Sequence, residues 1–125
     1  MNVGLAAFLG AVNAFLAVAA GAFGAHALKA RLAPDALVTF ETGARYHMLH
    51  ALGMFAVAFL IAQGAPAARL AGFFMLAGIV LFSGSLYALA LSGVRGLGAI
   101  TPLGGLCFLI AWAILAVGAW RLSNP

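Results

Sequence analysis

Phe40-Glu41-Thr42-Gly43-Ala44-Arg45-Tyr46-His47-Met48-Leu49-His50 runs without a break into Ala51–Ala62, a stretch that is apolar apart from one glycine. The first part holds one of the two acidic residues, one of the six basic residues and two of the three histidines of the chain. Ala51 to Ala62 rises only ~18 Å as a helix, well short of a ~30 Å hydrocarbon core. Some polar turns before Ala51 must therefore lie at membrane depth, unless the bilayer thins locally. This reading supposes lipid as the solvent, and the rest of the chain supports it.

The protein has 125 residues, 66% of them hydrophobic and 6% charged, with a mean hydropathy of +1.19. So few charges cannot clothe a water-soluble domain of this size. In lipid the backbone must satisfy itself, which leaves helices or a closed barrel. Long apolar runs without period-two alternation exclude the barrel. The net charge of +4 comes from basic residues scattered between apolar runs. With no basic stripe interleaved with aromatics, nucleic acid is excluded as a partner. Cys107 stands alone in the last apolar run, so it reads as a small buried hydrophobe rather than a disulfide or metal ligand.

Val3 to Leu28 is apolar except for Asn13 and His26 and reaches ~39 Å, enough to cross with tilt. No basic residue precedes it and it is too long for a signal peptide, so it reads as a retained helix. Gly10, Asn13, Ala17, Gly21, Gly24 and Leu28 form a ridge of mostly small residues, suited to close helix contact with Asn13 bonding across it. His26 points away from that ridge. Lys29 to Pro34 is a short basic connection, and Pro34 with Asp35 suits a helix start. The expected helices are 3–28, 35–63, 70–91 and 102–120, in one domain. Gln63-Gly64-Ala65-Pro66 is a tight turn, Ser92 to Gly98 a flexible loop, and Thr101-Pro102 a capped helix start. Trp120-Arg121 closes the last helix as an interfacial anchor. The fold class is an all-α membrane protein, a four-transmembrane-helix up-down bundle. Lys29, Arg31 and Arg95 against Arg69 and Arg121 place loops one and three in the cytoplasm and both termini outside.

At ~100° per residue, Thr39, Tyr46 and His50 share one face of the second helix, with Gly43 and Gly53 beside them and His47 on the flank. Glu41 and Arg45 lie on the other side, one turn apart in the favourable order for an ion pair. They read as a neutralising pair at the membrane boundary, with an ion relay or a lipid-headgroup anchor as the functional alternative. His47 and His50 read as bonds between helices. Zinc would need four ligands, with only His26 and Glu41 left to complete the set, and haem would need two opposed imidazoles. Ser83 and Ser85 lack a nucleophile elbow, and the glycine pairs lack the lysine of a phosphate loop. No catalytic residue, metal or cofactor is assigned.

Four motifs occur in order: Gly21-Ala22-Phe23-Gly24-Ala25-His26-Ala27-Leu28; Phe40-x-Thr42-Gly43-x-x-Tyr46-His47-x-x-His50-Ala51-Leu52-Gly53; Phe82-Ser83-Gly84-Ser85-Leu86-Tyr87; and Ile100-Thr101-Pro102-Leu103-Gly104-Gly105. Together they closely resemble the YgdD/YwdK family of small bacterial membrane proteins, a family of unknown function. The resemblance covers nearly the whole chain. It implies a multi-pass protein of the bacterial plasma membrane and carries no reaction, cofactor or substrate. Its polar motif positions, His26, Thr42, Tyr46, His47, His50, Ser83, Tyr87 and Thr101, form a candidate polar pocket near one membrane face, with Glu41 and Arg45 at its margin. The leading function is a non-enzymatic interaction or stability factor, or a small-ligand binder. A small proton or cation transporter working as a homo-oligomer is second, and a lipid- or quinone-linked enzyme third. The expected partners are the bilayer and either a second copy or another membrane protein.

Overall fold

The computed structural model describes residues 1–125 and contains only helices, turns and loops. Four helices are long and apolar enough to cross a membrane. They are α1 (Val3–Leu28), α2 (Pro34–Ala62), α3 (Ala68–Ser92) and α4 (Thr101–Ser123), the last preceded by a 3₁₀ turn at Arg95–Ala99. Short loops reverse the chain each time, giving an up-down bundle. One face carries the start of α1, the end of α2, the start of α3 and the end of α4.

Local chemistry sets the helix ends. The Asn2 side chain accepts the Leu5 N–H at 2.8 Å and caps α1. Pro34 opens α2, where its missing N–H has no helical partner to lose, and Asp35 follows in the positive first turn. At the other end Gly64 takes φ 91°, and the Ala65 N–H returns to the Leu60 carbonyl at 2.9 Å. This left-handed closure, with Pro66 just beyond it, stops the helix. Thr101 departs from its expected capping role. Ile100 precedes α4 without a side-chain cap, and Thr101 is the first helical residue. Its hydroxyl turns to Ser85 on α3 instead.

α2 is the central helix. Half of its most apolar stretch is buried (50%), against 17%, 33% and 22% for the others in chain order. α1 packs along it through Ala6, Gly10, Ala17, Gly24 and Leu28, all buried. α4 lies chiefly on α3, presenting Gly104, Phe108, Ala111, Leu115 and Gly118 at three-and-four spacing. Met54, Val57, Met75, Ala111 and Leu115 anchor the larger apolar cluster, while Leu28, Phe40 and Ala90 form a smaller one towards loop one. Along α2, His47 and His50 lie between the two clusters. Phe15, Val18, Phe59, Val80 and Leu109 point outward, as lipid-facing residues do.

Two stretches widen into π turns, Gly24–Leu28 in α1 and Ile79–Gly84 in α3. Each absorbs an extra residue and rotates the next part of the helix about its axis. The α3 turn lies where that helix backs onto α4. A Cβ on Gly104 would collide with the Phe82 backbone nitrogen and stand 2.8 Å from the Leu81 carbonyl carbon. Only a missing side chain permits this approach.

Counting ~30 Å back from Ala62 along α2 reaches Gly43. His47 and His50 therefore lie inside the hydrocarbon, Glu41 outside it, and Arg45 within snorkelling reach of its edge.

Gly104→Ala is expected to destabilise the bundle by about 1–3 kcal/mol through backbone overpacking. At Gly21 a methyl group would meet nothing within 4 Å, so alanine should be accepted there without loss. Thermal unfolding of both variants in detergent checks the contrast, and equal midpoints would contradict it.

Candidate functional site

His47 is 6% exposed and His50 2%, so both imidazoles are core groups. They face different neighbours and form two separate networks.

The first network links three helices. His47 Nε2 lies 3.1 Å from Asn13 Oδ1 on α1, and His47 Nδ1 lies 3.0 Å from the Tyr87 hydroxyl on α3. Asn13 Nδ2 donates to the Leu9 carbonyl at 2.9 Å, which fixes the amide with its oxygen towards His47. That oxygen can only accept, so Nε2 carries the proton and Nδ1 accepts from Tyr87. The donors run in one direction, from Tyr87 through His47 and Asn13 to the Leu9 carbonyl. Gly43, one turn before His47, makes room: a Cβ there would stand 3.0 Å from the Tyr87 ring. Phe40 closes the other side of that ring, with centroids 4.9 Å apart.

The second network joins α2 to α4. His50 Nδ1 lies 2.7 Å from the Tyr46 carbonyl, and Trp112 Nε1 lies 3.1 Å from His50 Nε2. A carbonyl only accepts and an indole only donates. His50 is therefore neutral with its proton on Nδ1, the opposite tautomer to His47. Phe108 stacks flat on the ring, with centroids 3.4 Å apart and planes within 7°. Neither ring nitrogen of His50 is free for a metal, and no three His, Cys, Asp or Glu side chains come together anywhere in the chain.

The other candidates separate from these networks. Tyr46 is 39% exposed, with its ring between Phe82 and His50 and stacked on the latter at 6.1 Å, so it edges the buried polar face that His47 and His50 centre. Thr42 donates to the Val38 carbonyl of its own helix at 2.9 Å. Thr101 shares a 2.6 Å bond with Ser85, whose hydroxyl also meets the Phe82 carbonyl at 3.0 Å. Ser83 is fully buried and its hydroxyl has no partner. His26 is exposed, within the π turn whose buried residues are Gly24 and Leu28. Glu41 and Arg45 are both exposed and form no ion pair. Their position at the edge of the hydrocarbon lets water and headgroups solvate each charge, so no pairing is required.

The expected common pocket is thus replaced by two sets of interhelical bonds. The cavities of the structure lie elsewhere, one lined by Gly64, Pro66, Leu70, Ile114 and Arg121, the other by Asp35, Thr39, Leu89 and Arg95. Sequence reasoning passes over Trp112 and weighs Ser85 only as a nucleophile, whereas Asn13 makes the bond across the α1 contact that its place on the small-residue ridge suggests. The available signal is an indole N–H and an amide inside apolar helices, each of which needs a partner in lipid.

A family model described as "Protein of unknown function (DUF423)" matches residues 20–105. The chain belongs to this family of membrane proteins. Among similar proteins, the UPF0382 membrane protein YwdK of Bacillus subtilis is 53% identical over 113 residues, covering 89% of this chain and 92% of that one. The UPF0382 membrane protein SSP2132 of Staphylococcus saprophyticus is 42% identical over 114 residues, or 91% and 95% of the two chains. A UPF0382 membrane protein of Haemophilus influenzae is 44% identical over 114 residues, or 91% and 92%. No solved structure matches the chain. The segment that matches the DUF423 model holds α2 and α3 complete, while Asn13, Phe108 and Trp112 lie outside it.

A double-mutant cycle between His47→Leu and Tyr87→Phe should give a coupling energy of about 0.6 kcal/mol, and no more than about 1.7, as for hydrogen bonds between membrane helices. Zero coupling in detergent unfolding would remove the bond. Ser83→Ala is expected to leave stability unchanged or raise it, because it deletes an unpartnered hydroxyl, whereas Ser85→Ala should lower it.

Proposed function

We propose that this protein is a non-enzymatic, multi-pass protein of the bacterial plasma membrane that acts by binding other membrane constituents at its outer surface. One observation carries the reading: each buried histidine has both ring nitrogens engaged by fixed partners within the chain. A general base or metal ligand needs a free lone pair facing a substrate, and neither imidazole offers one. The string of donors from Tyr87 ends on a main-chain carbonyl, which cannot pass a proton onward. Neither cavity is lined by a histidine. The membrane names of the bacterial relatives agree with the location.

In this reading loops one and three face the cytoplasm. Lys29, Arg31 and Arg95 lie at that face with Arg45 in snorkelling reach, against Arg69 and Arg121 at the other. A reporter fused at the C-terminus should score as external.

Vesicles carrying the protein and a trapped pH dye should hold an imposed proton gradient as well as protein-free vesicles. A leak that disappears in His47→Gln would overturn the binding reading in favour of transport. His50→Gln should change thermal stability in those vesicles without changing the set of membrane proteins that cross-link to the wild-type chain in native membranes. Loss of those partners at unchanged stability would assign His50 a direct role.

A further inference from the structure

The larger cavity is a groove of about 530 Å³ between loop two and the last turns of α4. Ala65 and Gly118 are buried and form its floor, with Pro66, Leu70, Ile114 and Val117 as apolar walls and Arg121 at its end. The groove is preformed. The left-handed closure at Gly64 and the 2.9 Å bond from Ala65 to Leu60 hold loop two in place. Along α4, Ala113 to Arg121 spans ~12 Å. One leaflet of a ~30 Å core is ~15 Å deep, and Gly118 stands beside Leu60 and Ala65 at the hydrocarbon edge, so the groove runs from the headgroup level at Arg121 about halfway into a leaflet.

The side-chain charge at this end is one-sided. Arg69 and Arg121 are its charged side chains, while both acids, Asp35 and Glu41, belong to the half of α2 next to loop one. No carboxylate side chain is therefore placed to neutralise Arg121. A guanidinium binds phosphate through paired N–H donors and lies comfortably at the membrane interface, where Trp120 beside it is also exposed. An apolar channel reaching into a leaflet and headed by an unpaired guanidinium matches one class of molecule, with an acyl chain below and an anionic phosphate above.

We propose that this groove is a specific site for an anionic phospholipid, with one acyl chain on the Ala65–Gly118 floor and the phosphate on Arg121. It is independent of the histidine networks, and it names a ligand where the proposed function names only a mode of action.

The test is native mass spectrometry of the purified full chain in detergent, with phosphatidylglycerol and phosphatidylethanolamine added in equal amounts. The wild type should retain phosphatidylglycerol in preference. Arg121→Gln should lower that retention about fivefold, from the roughly 1 kcal/mol that one basic residue contributes near an anionic lipid, and Arg121→Lys should keep most of it. Gly118→Leu fills the floor at unchanged charge and should reduce retention of both lipids. Ile114→Trp blocks the wall and gives the same readout if Gly118→Leu fails to fold, as judged by helical circular dichroism. Equal retention of the two lipids by the wild type, or retention unchanged in Arg121→Gln, would overturn the proposal. So would displacement of the lipid by glycerol phosphate at matched concentration, since a headgroup alone cannot fill the groove.

Discussion

The bilayer core offers no water, and α2 carries two imidazoles into it. An unpartnered polar group there costs several kcal/mol, so the other helices have to come to the histidines. α1 brings Asn13, α3 brings Tyr87, and α4 brings Trp112 and the flat face of Phe108. Each of these meets α2 within a short stretch between two apolar clusters. The apolar contacts hold the helices side by side. The polar ones fix their register, because a shift of one residue would separate a donor from its acceptor.

Close approach is what allows short side chains to reach. Gly43 lets the Tyr87 ring lie against α2, and Gly104 lets α4 touch the backbone of α3 at Phe82. The π turn at Ile79–Gly84 sits at that second contact. It sets the rotation of the α3 segment that presents Ser85 to Thr101 and Tyr87 to His47. Ser83 lies within the same turn and is left buried without a partner. The local cost falls on one hydroxyl, while two neighbouring interhelical bonds are formed.

The helices and their up-down order are legible in the sequence because bilayer thickness imposes a length on every apolar run. The small ridge of α1 is legible too, since close packing in lipid requires it and Gly10, Ala17 and Gly24 supply the spacing. Partner choice is not. A helical wheel gives the direction of a side chain but not which helix stands there, so it pairs Tyr46 with His50, whose rings do stack, but leaves Trp112 unnoticed. The π turns carry no composition signal, and His26 is exposed on the side of α1 away from the buried Gly24 and Leu28. Thr101 looks like a cap because cap and crosslink use the same hydroxyl. Glu41 and Arg45 have ideal spacing, yet their depth leaves them solvated and unpaired.

The placement of α1 chiefly on α2 has a bearing on how the chain is made. Once the first hairpin has entered the membrane, Asn13 can already satisfy one side of His47. The other side awaits Tyr87, and His50 lacks its indole until α4 arrives. A nascent or truncated chain thus displays an unsatisfied imidazole to lipid, and a finished one displays none. The two histidines tie the satisfaction of the buried polar groups to the arrival of all four helices.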